Sequence, residues 1–331
     1  MCARQAWFLG LALAAAACLA EARSAKADEA KAEGEQQPVF RAETDLVTVG
    51  VTVRDRAGVP LTDLSQADFT VVEDGQAQTV TYFARGDQEN GAVETHVGLL
   101  LDTSGSMGAD IELVDFEADI ELARKAAVRF LNTITDAVDM TLVDFDTEVR
   151  IAKYTQQDFP RMVERIRARK QLGAETAFYD ALGVYLDGAA EAEGRTVLVI
   201  FTDGGDTRSA IPFKDVMNLL RAAEVTVYAV GFLEHQSSSV RTEQRLRLTQ
   251  MAEETGGEAI FPLSMKQIES AYDRVVAGIR AQYTLGYTSS NAARDGRWRR
   301  VEVKVARAAG SRARDVRVLT RKGYFAPFVR P

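Results

Sequence analysis

One apolar run of this 331-residue chain leads into VGLLLDTSGSM, where Asp102, Ser104 and Ser106 each stand two residues from the next. A carboxylate and two hydroxyls are poor company for a core, but they suit a hard cation that seeks oxygen. Magnesium takes six oxygens in an octahedron and keeps several as water, so this trio supplies part of its shell. Gly105 and Gly108 let the loop turn with no Cβ in the way. Two other stretches carry matching chemistry. GAETAFYDAL places Thr176 just ahead of an apolar helical pattern, and LVIFTDGGDTRS places Asp203 directly after a second apolar run. Asp102, Ser104, Ser106, Thr176 and Asp203 are therefore the candidate metal ligands. Asp206, Asp180 and Asp146 are candidates for bracing or rimming the same site. Asp206 follows Asp203 closely, Asp180 falls in a helical first turn, and Asp146 follows Asp144 at a strand end.

The elements that must position these residues are legible from periodicity. Residues 94 to 280 alternate strands and helices. Strands are predicted at Thr95–Leu101, Met140–Phe145, Val149–Tyr154, Thr196–Phe201, Val225–Gly231 and Ala259–Phe261. Several are near-continuous Val, Leu and Ile, as in parallel strands covered on both faces. One helix carries Leu122, Ala126, Phe130 and Ile134; another carries Ile268, Tyr272, Val275, Val276 and Ile279. This alternation predicts a doubly wound, Rossmann-like α/β sheet, whose ligands sit outside the carboxyl ends of the strands.

On either side the period changes to two. In 39–86, Val47, Val49, Val51 and Val53 form one apolar face, and Asp74-Gly75 has the signature of a tight hairpin. In 281–325, YTLGYTS, RWRRVEVKVAR and DVRVLTRKGYF are three strand candidates. The expectation is a small β-sandwich built from both flanks, with the α/β segment inserted between them.

With these motifs in place the sequence resembles a known family. DTSGSM, then Thr176, then TDGGD resemble the metal-ion-dependent adhesion site of von Willebrand factor type A (VWA) domains, over about residues 94–280. Asp102, Ser104 and Ser106 match its D-x-S-x-S element, Thr176 its threonine and Asp203 its later aspartate. The flanking segments resemble those of a bacterial exported VWFA-related family. The resemblance implies a protein-binding or adhesion module that holds Mg2+ or Mn2+, with Ca2+ as a further option, using few protein charges. A partner protein's Glu or Asp would complete the coordination.

Composition narrows the setting. The formal charge of −8 argues against nucleic acid as the main partner. From residue 281 onward the balance reverses, with twelve Lys or Arg against three Asp or Glu, interleaved with Val as on solvated strand faces. Residues 1–22 read as a signal peptide: Arg4, an apolar run from Trp7 to Leu19, and Ala20-Glu21-Ala22 as a cleavage site. Export to the periplasm, cell surface or medium is expected. A lipid anchor at Cys18 is the alternative to simple cleavage. Residues 23–38 are charged, Ala-rich and without large apolar groups, and read as a disordered linker. Both cysteines, Cys2 and Cys18, fall in the leader, so no disulfide is expected in the exported chain. The two histidines, His96 and His235, are too few for an imidazole-based zinc site. No later apolar run approaches the 18 residues of a membrane span.

The acidic stretch Ala109 to Asp119 reads as a solvated helix extension rather than a charged rim. An enzyme is not expected: there is no P-loop Lys, no G-x-G-x-x-G after a strand and no G-x-S-x-G. Two alternatives stand beside adhesion, a metal that serves only as a structural staple and a Mg-dependent phosphoryl-transfer site.

Overall fold

The computed structural model describes residues 46–86, 94–105, 127–134, 137–168, 173–189, 194–234, 236–264, 266–306 and 316–328, with Lys125 and Ala192 besides. Ser106, His235, the leader, the linker and the acidic stretch after Gly108 lie outside the described residues, as do Leu122 and Ala126 of the first predicted helix.

The central sheet holds β5 (Thr95–Asp102), β6 (Asp139–Phe145), β7 (Val149–Thr155), β8 (Arg195–Thr202), β9 (Val225–Gly231) and β10 (Glu258–Ile260). Their spatial order is β10-β9-β8-β5-β6-β7, parallel throughout except for the antiparallel edge strand β7. Alternate residues of each apolar run serve opposite faces. Val97, Leu99 and Leu101 join Val197, Val199 and Phe201 on one side, under the helical residues 127–133, α1 (Phe159–Ala168) and α5 (Lys266–Arg280). Leu100, Leu198 and Ile200 face the other side, under α2 (Phe178–Ala189), α3 (Phe213–Ala222) and α4 (Ser238–Thr255). Gly98 is needed within this packing, because a Cβ there would lie 2.3 Å from the Tyr185 ring. The chain leaves β5 toward one face and β8 toward the other. These neighbouring strands therefore open a crevice at their carboxyl ends, where an open α/β sheet binds ligands.

Strands from before and after this segment form two antiparallel sheets. One has the order β13-β1-β11-β4, the other β14-β12-β2-β3. Here β1 is Leu46–Arg54, β2 Phe69–Glu73, β3 Gln76–Gln78, β4 Val80–Arg85, β11 Tyr283–Thr288, β12 Trp298–Val305, β13 Arg317–Thr320 and β14 Gly323–Phe325. Val49, Val51 and Val53 share a core with Phe69, Val71, Leu285, Tyr287, Val301 and Val303. The Asp74-Gly75 hairpin forms as expected, with φ of 47° and 85°, the left-handed geometry that matches strand twist in a two-residue turn.

Two extended runs are each divided between the sheets. The run Gln78 to Phe83 splits, so that β3 pairs with β2 while β4 pairs with β11. The last run breaks at Arg321 and Lys322, where the chain turns aside to meet the end of α4: Lys322 N donates to the Glu254 carbonyl at 3.3 Å and Arg321 bridges to Thr255. A strand that serves two sheets must bend between them, and each half keeps its own ladder.

Candidate functional site

Asp102 is the last residue of β5, and Asp203 directly follows the last residue of the adjacent strand β8. The parallel register of these strands, Leu101 beside Phe201, brings both carboxylates to the same edge. Both are buried. Ser104 donates to Asp102 Oδ1 through its backbone N at 2.9 Å and its hydroxyl at 2.5 Å. Thr202 donates its hydroxyl to Asp102 Oδ2 at 2.6 Å and accepts the Gly204 N–H at 3.0 Å. Gly205 N and Gln236 Nε2 donate to Asp203 at 2.8 and 3.0 Å.

Three loops are stitched together around this pair. Gly105 N donates to the Gly173 carbonyl at 2.8 Å, and Thr207 N donates to the Thr176 carbonyl at 2.9 Å. Thr176 N donates to Thr207 Oγ1 at 2.9 Å. Thr176 is itself buried, two residues before α2. Gly173 sits where a Cβ would approach the Asp146 Cβ to 2.5 Å, so only glycine lets these loops close.

The other acidic candidates brace this arrangement. Asp146 accepts the Glu148 N–H at 2.9 Å, pairs with Arg150 at 3.0 Å, and its carbonyl receives the Ala177 N–H at 2.8 Å. Asp206 Oδ1 accepts from Tyr179 N at 3.2 Å and from the Ser209 hydroxyl at 2.5 Å, at the first turn of α2. Asp180 accepts the N–H groups of Ala210 and Ile211 at 3.1 and 3.0 Å. Asp144 is held by Arg150 at 2.7 Å and Arg165 at 3.0 Å.

The electrostatics centre on Asp102. Burial, followed by the negative charge of Asp203, pushes its carboxyl up to about 7, although the Ser104 and Thr202 hydrogen bonds favour the charged form. Two buried carboxylates side by side repel, and a small divalent cation between them relieves both the repulsion and the burial. The donor set suits such an ion: two carboxylates with the hydroxyls of Ser104 and Thr176, all oxygen. Among the described residues no group of three or more His, Cys, Asp or Glu converges, so a cation here would rely on hydroxyls for the balance of its protein ligands.

The von Willebrand factor type A domain profile matches residues 96–274, more than half of the chain. The chain belongs to the von Willebrand factor type A domain family. Similar solved structures include a VWA protein from Catenulispora acidiphila, at 13% identity over 86% of this chain and 76% of that one, with a TM-score of 0.48. The PilB minor pilin from Streptococcus sanguinis matches at 12% identity over 59% and 63%, with a TM-score of 0.47. Proximal thread matrix protein 1 from the mussel byssus, solved with a zinc-occupied MIDAS motif, matches at 15% over 56% and 47%, with a TM-score of 0.42. The VWA chain thus spans less than two thirds of the pilin and of the byssus protein. No curated protein matches it significantly.

Two contributors in this VWA site escape a reading of the sequence. Thr202 carried a faint signal, as the residue between an apolar strand and Asp203. Gln236 carried none, since nothing in LEHQSS marks a residue that reaches Asp203 from the loop after β9.

Proposed function

We propose that this chain is a metal-dependent binding module of the adhesion type. A divalent cation is held by Asp102, Ser104, Ser106, Thr176 and Asp203, and a partner protein's Glu or Asp carboxylate completes its coordination. The observation that carries this reading is the placement of Asp102 and Asp203 as buried neighbours at the crevice, with the Ser104 and Thr202 hydroxyls on Asp102. Asp102 would carry the charge of the site, with Ser104 holding its orientation. Thr176 is tied to the loop of Thr207, so its hydroxyl would be delivered by a braced segment. A bound cation would supply an electrophilic position for the incoming carboxylate. With only two carboxylates around it, the ion would keep enough positive charge to attract a third. All-oxygen ligation favours Mg2+ or Mn2+ over softer ions, with Ca2+ third.

Binding, not turnover, is the proposed output. Export fits this role and rests on the leader-like residues 1–22, with Cys18 as an alternative point of lipid attachment. No helix among the described residues is long and apolar enough to cross a membrane.

The test is calorimetric titration of the metal-free chain with Mg2+ and Mn2+, beside Asp102→Ala and Thr176→Ala. Loss of binding in Asp102→Ala and roughly tenfold weakening in Thr176→Ala are expected, the latter for one lost ligand contact. Absence of binding in the unmodified chain overturns the proposal.

A further inference from the structure

The opposite edge of the central sheet holds a second concave feature. A cavity of about 470 Å³ lies between the starts of β8 and β9 and the outward face of β1 and β11. This volume is in the range of small-molecule sites, roughly 300–1,000 Å³. Short side chains leave the space open: Thr48 and Gly50 of β1 and Thr284 of β11 line it.

The polar equipment of this cavity is specific. Gln282 lies across β1, with its amide nitrogen 2.7 Å from where a Cβ on Gly50 would stand. Its side chain is buried, at 1% exposure. Gln282 Nε2 donates to Thr226 Oγ1 at 3.3 Å, whereas Gln282 Oε1 accepts no hydrogen bond among the described residues. An enclosed carbonyl oxygen without a donor is costly, so this atom marks a place for a hydroxyl or another donor. Arg321 supplies charge. Its Nε donates to the Gly323 carbonyl at 2.7 Å, but its carboxylate partner Glu224 stands at 3.5 Å and is itself largely exposed. Burial outweighs that pull and holds the guanidinium below its ordinary value. Arg195 and Arg221 also line the cavity, against Glu224 and Glu254, which leaves one positive charge in excess. Arg221 is paired with Glu254 at 3.0 Å. The Tyr82 ring and several threonine hydroxyls complete the wall.

We propose that this cavity binds a hydroxylated carboxylate of sugar size, a uronic acid, with its carboxylate at Arg321 and a hydroxyl donating to Gln282 Oε1. The chemistry of the wall selects each part of the ligand. Excess positive charge calls for an anion, the free amide oxygen calls for a hydroxyl donor, and an aromatic wall suits a sugar ring. Neutral sugars lack the first match and simple carboxylates lack the second.

The experiment is calorimetric titration of the full chain with glucuronate, glucose and acetate, in excess chelator so that no metal at Asp102 can capture a carboxylate. Glucuronate is expected to bind, with glucose and acetate at least about tenfold weaker, for one lost polar contact each. Gln282→Met keeps the length of the side chain while removing the acceptor, and should weaken glucuronate roughly tenfold. Arg321→Gln should do the same or more, with far-UV circular dichroism as the check on folding. No binding of glucuronate overturns the proposal. So does glucose binding as tightly as glucuronate, or a folded Gln282→Met variant that binds glucuronate unchanged.

Discussion

The hydroxyl of Thr202 donates to Asp102 Oδ2 across 2.6 Å and thereby ties together the carboxyl ends of β8 and β5. Thr202 Oγ1 also accepts the Gly204 N–H, so one side chain fixes both the carboxylate and the start of the Asp203 loop. Thr202→Val keeps the shape and removes both bonds. It is expected to cost about 1–3 kcal/mol in urea unfolding, for buried groups left without partners. It should also weaken metal binding in calorimetry, although Thr202 is not among the proposed ligands.

Gly173→Ala tests the closure of the three loops. A Cβ at this position meets backbone-anchored Asp146 at 2.5 Å, so the segment that bridges to Ser104 must shift. Metal affinity should fall by at least tenfold, or about 1.4 kcal/mol, with a smaller change in the far-UV spectrum than in the binding isotherm. Unaltered affinity would show that the stitched loops are dispensable.

Metal removal gives a stability readout. A ligand that binds only the folded state stabilises it by about 2.7 kcal/mol at a hundredfold excess over its dissociation constant. Chelation should therefore lower the thermal midpoint of the metal-loaded chain, and should leave Asp102→Ala unmoved.

Glu258 joins the two sides of the molecule. It pairs with Arg54 of β1 at 3.2 Å and with Arg274 of α5 at 2.5 Å, and both Arg54 and Glu258 are almost fully enclosed. Glu258→Ala strands the Arg54 charge and is expected to cost about 3–5 kcal/mol in denaturant unfolding. The double change Arg54→Met with Glu258→Leu should recover most of that loss, since a buried pair replaced by apolar groups of similar size is often neutral.

The sandwich carries an alkaline limit. The hydroxyls of Tyr287 and Tyr324 donate to Glu73 at 2.8 and 2.9 Å, and burial with the nearby carboxylate pushes Tyr324 from 10.0 up to about 12. Between these values the folded chain keeps a proton that the unfolded chain has lost. Its contribution is complete below pH 10 and is lost as pH rises through about 12. Denaturant midpoints should fall over this window, and less steeply in Tyr324→Phe.

Much of the architecture was legible before any coordinates. Leu99 to Leu101 and Val197 to Phe201 read as strands because sheets covered on both faces admit few polar residues, and short apolar runs ending in Asp mark where such strands leave the core. The family pattern at Asp102, Ser104, Thr176 and Asp203 is equally a property of residue type and spacing. Local rules also sufficed for the Asp74-Gly75 hairpin, whose φ values demand little beyond two adjacent residues.

What the chain could not disclose locally was contact between distant segments. The second face of β1 carries polar residues, yet Thr52 and Arg54 are buried, Arg54 against Glu258 of the α/β segment. Periodicity tells which residues share a face but not what covers it. The same holds for the break at Arg321, the reach of Gln236 to Asp203 and the unmatched amide oxygen of Gln282. Sequence pattern determined the strands, the turn and the residue types of the candidate site, because backbone preference and burial act over a few neighbours. Tertiary structure decided which carboxylates, arginines and amides meet, because their interactions join residues tens to hundreds of positions apart and depend on the packing of whole sheets.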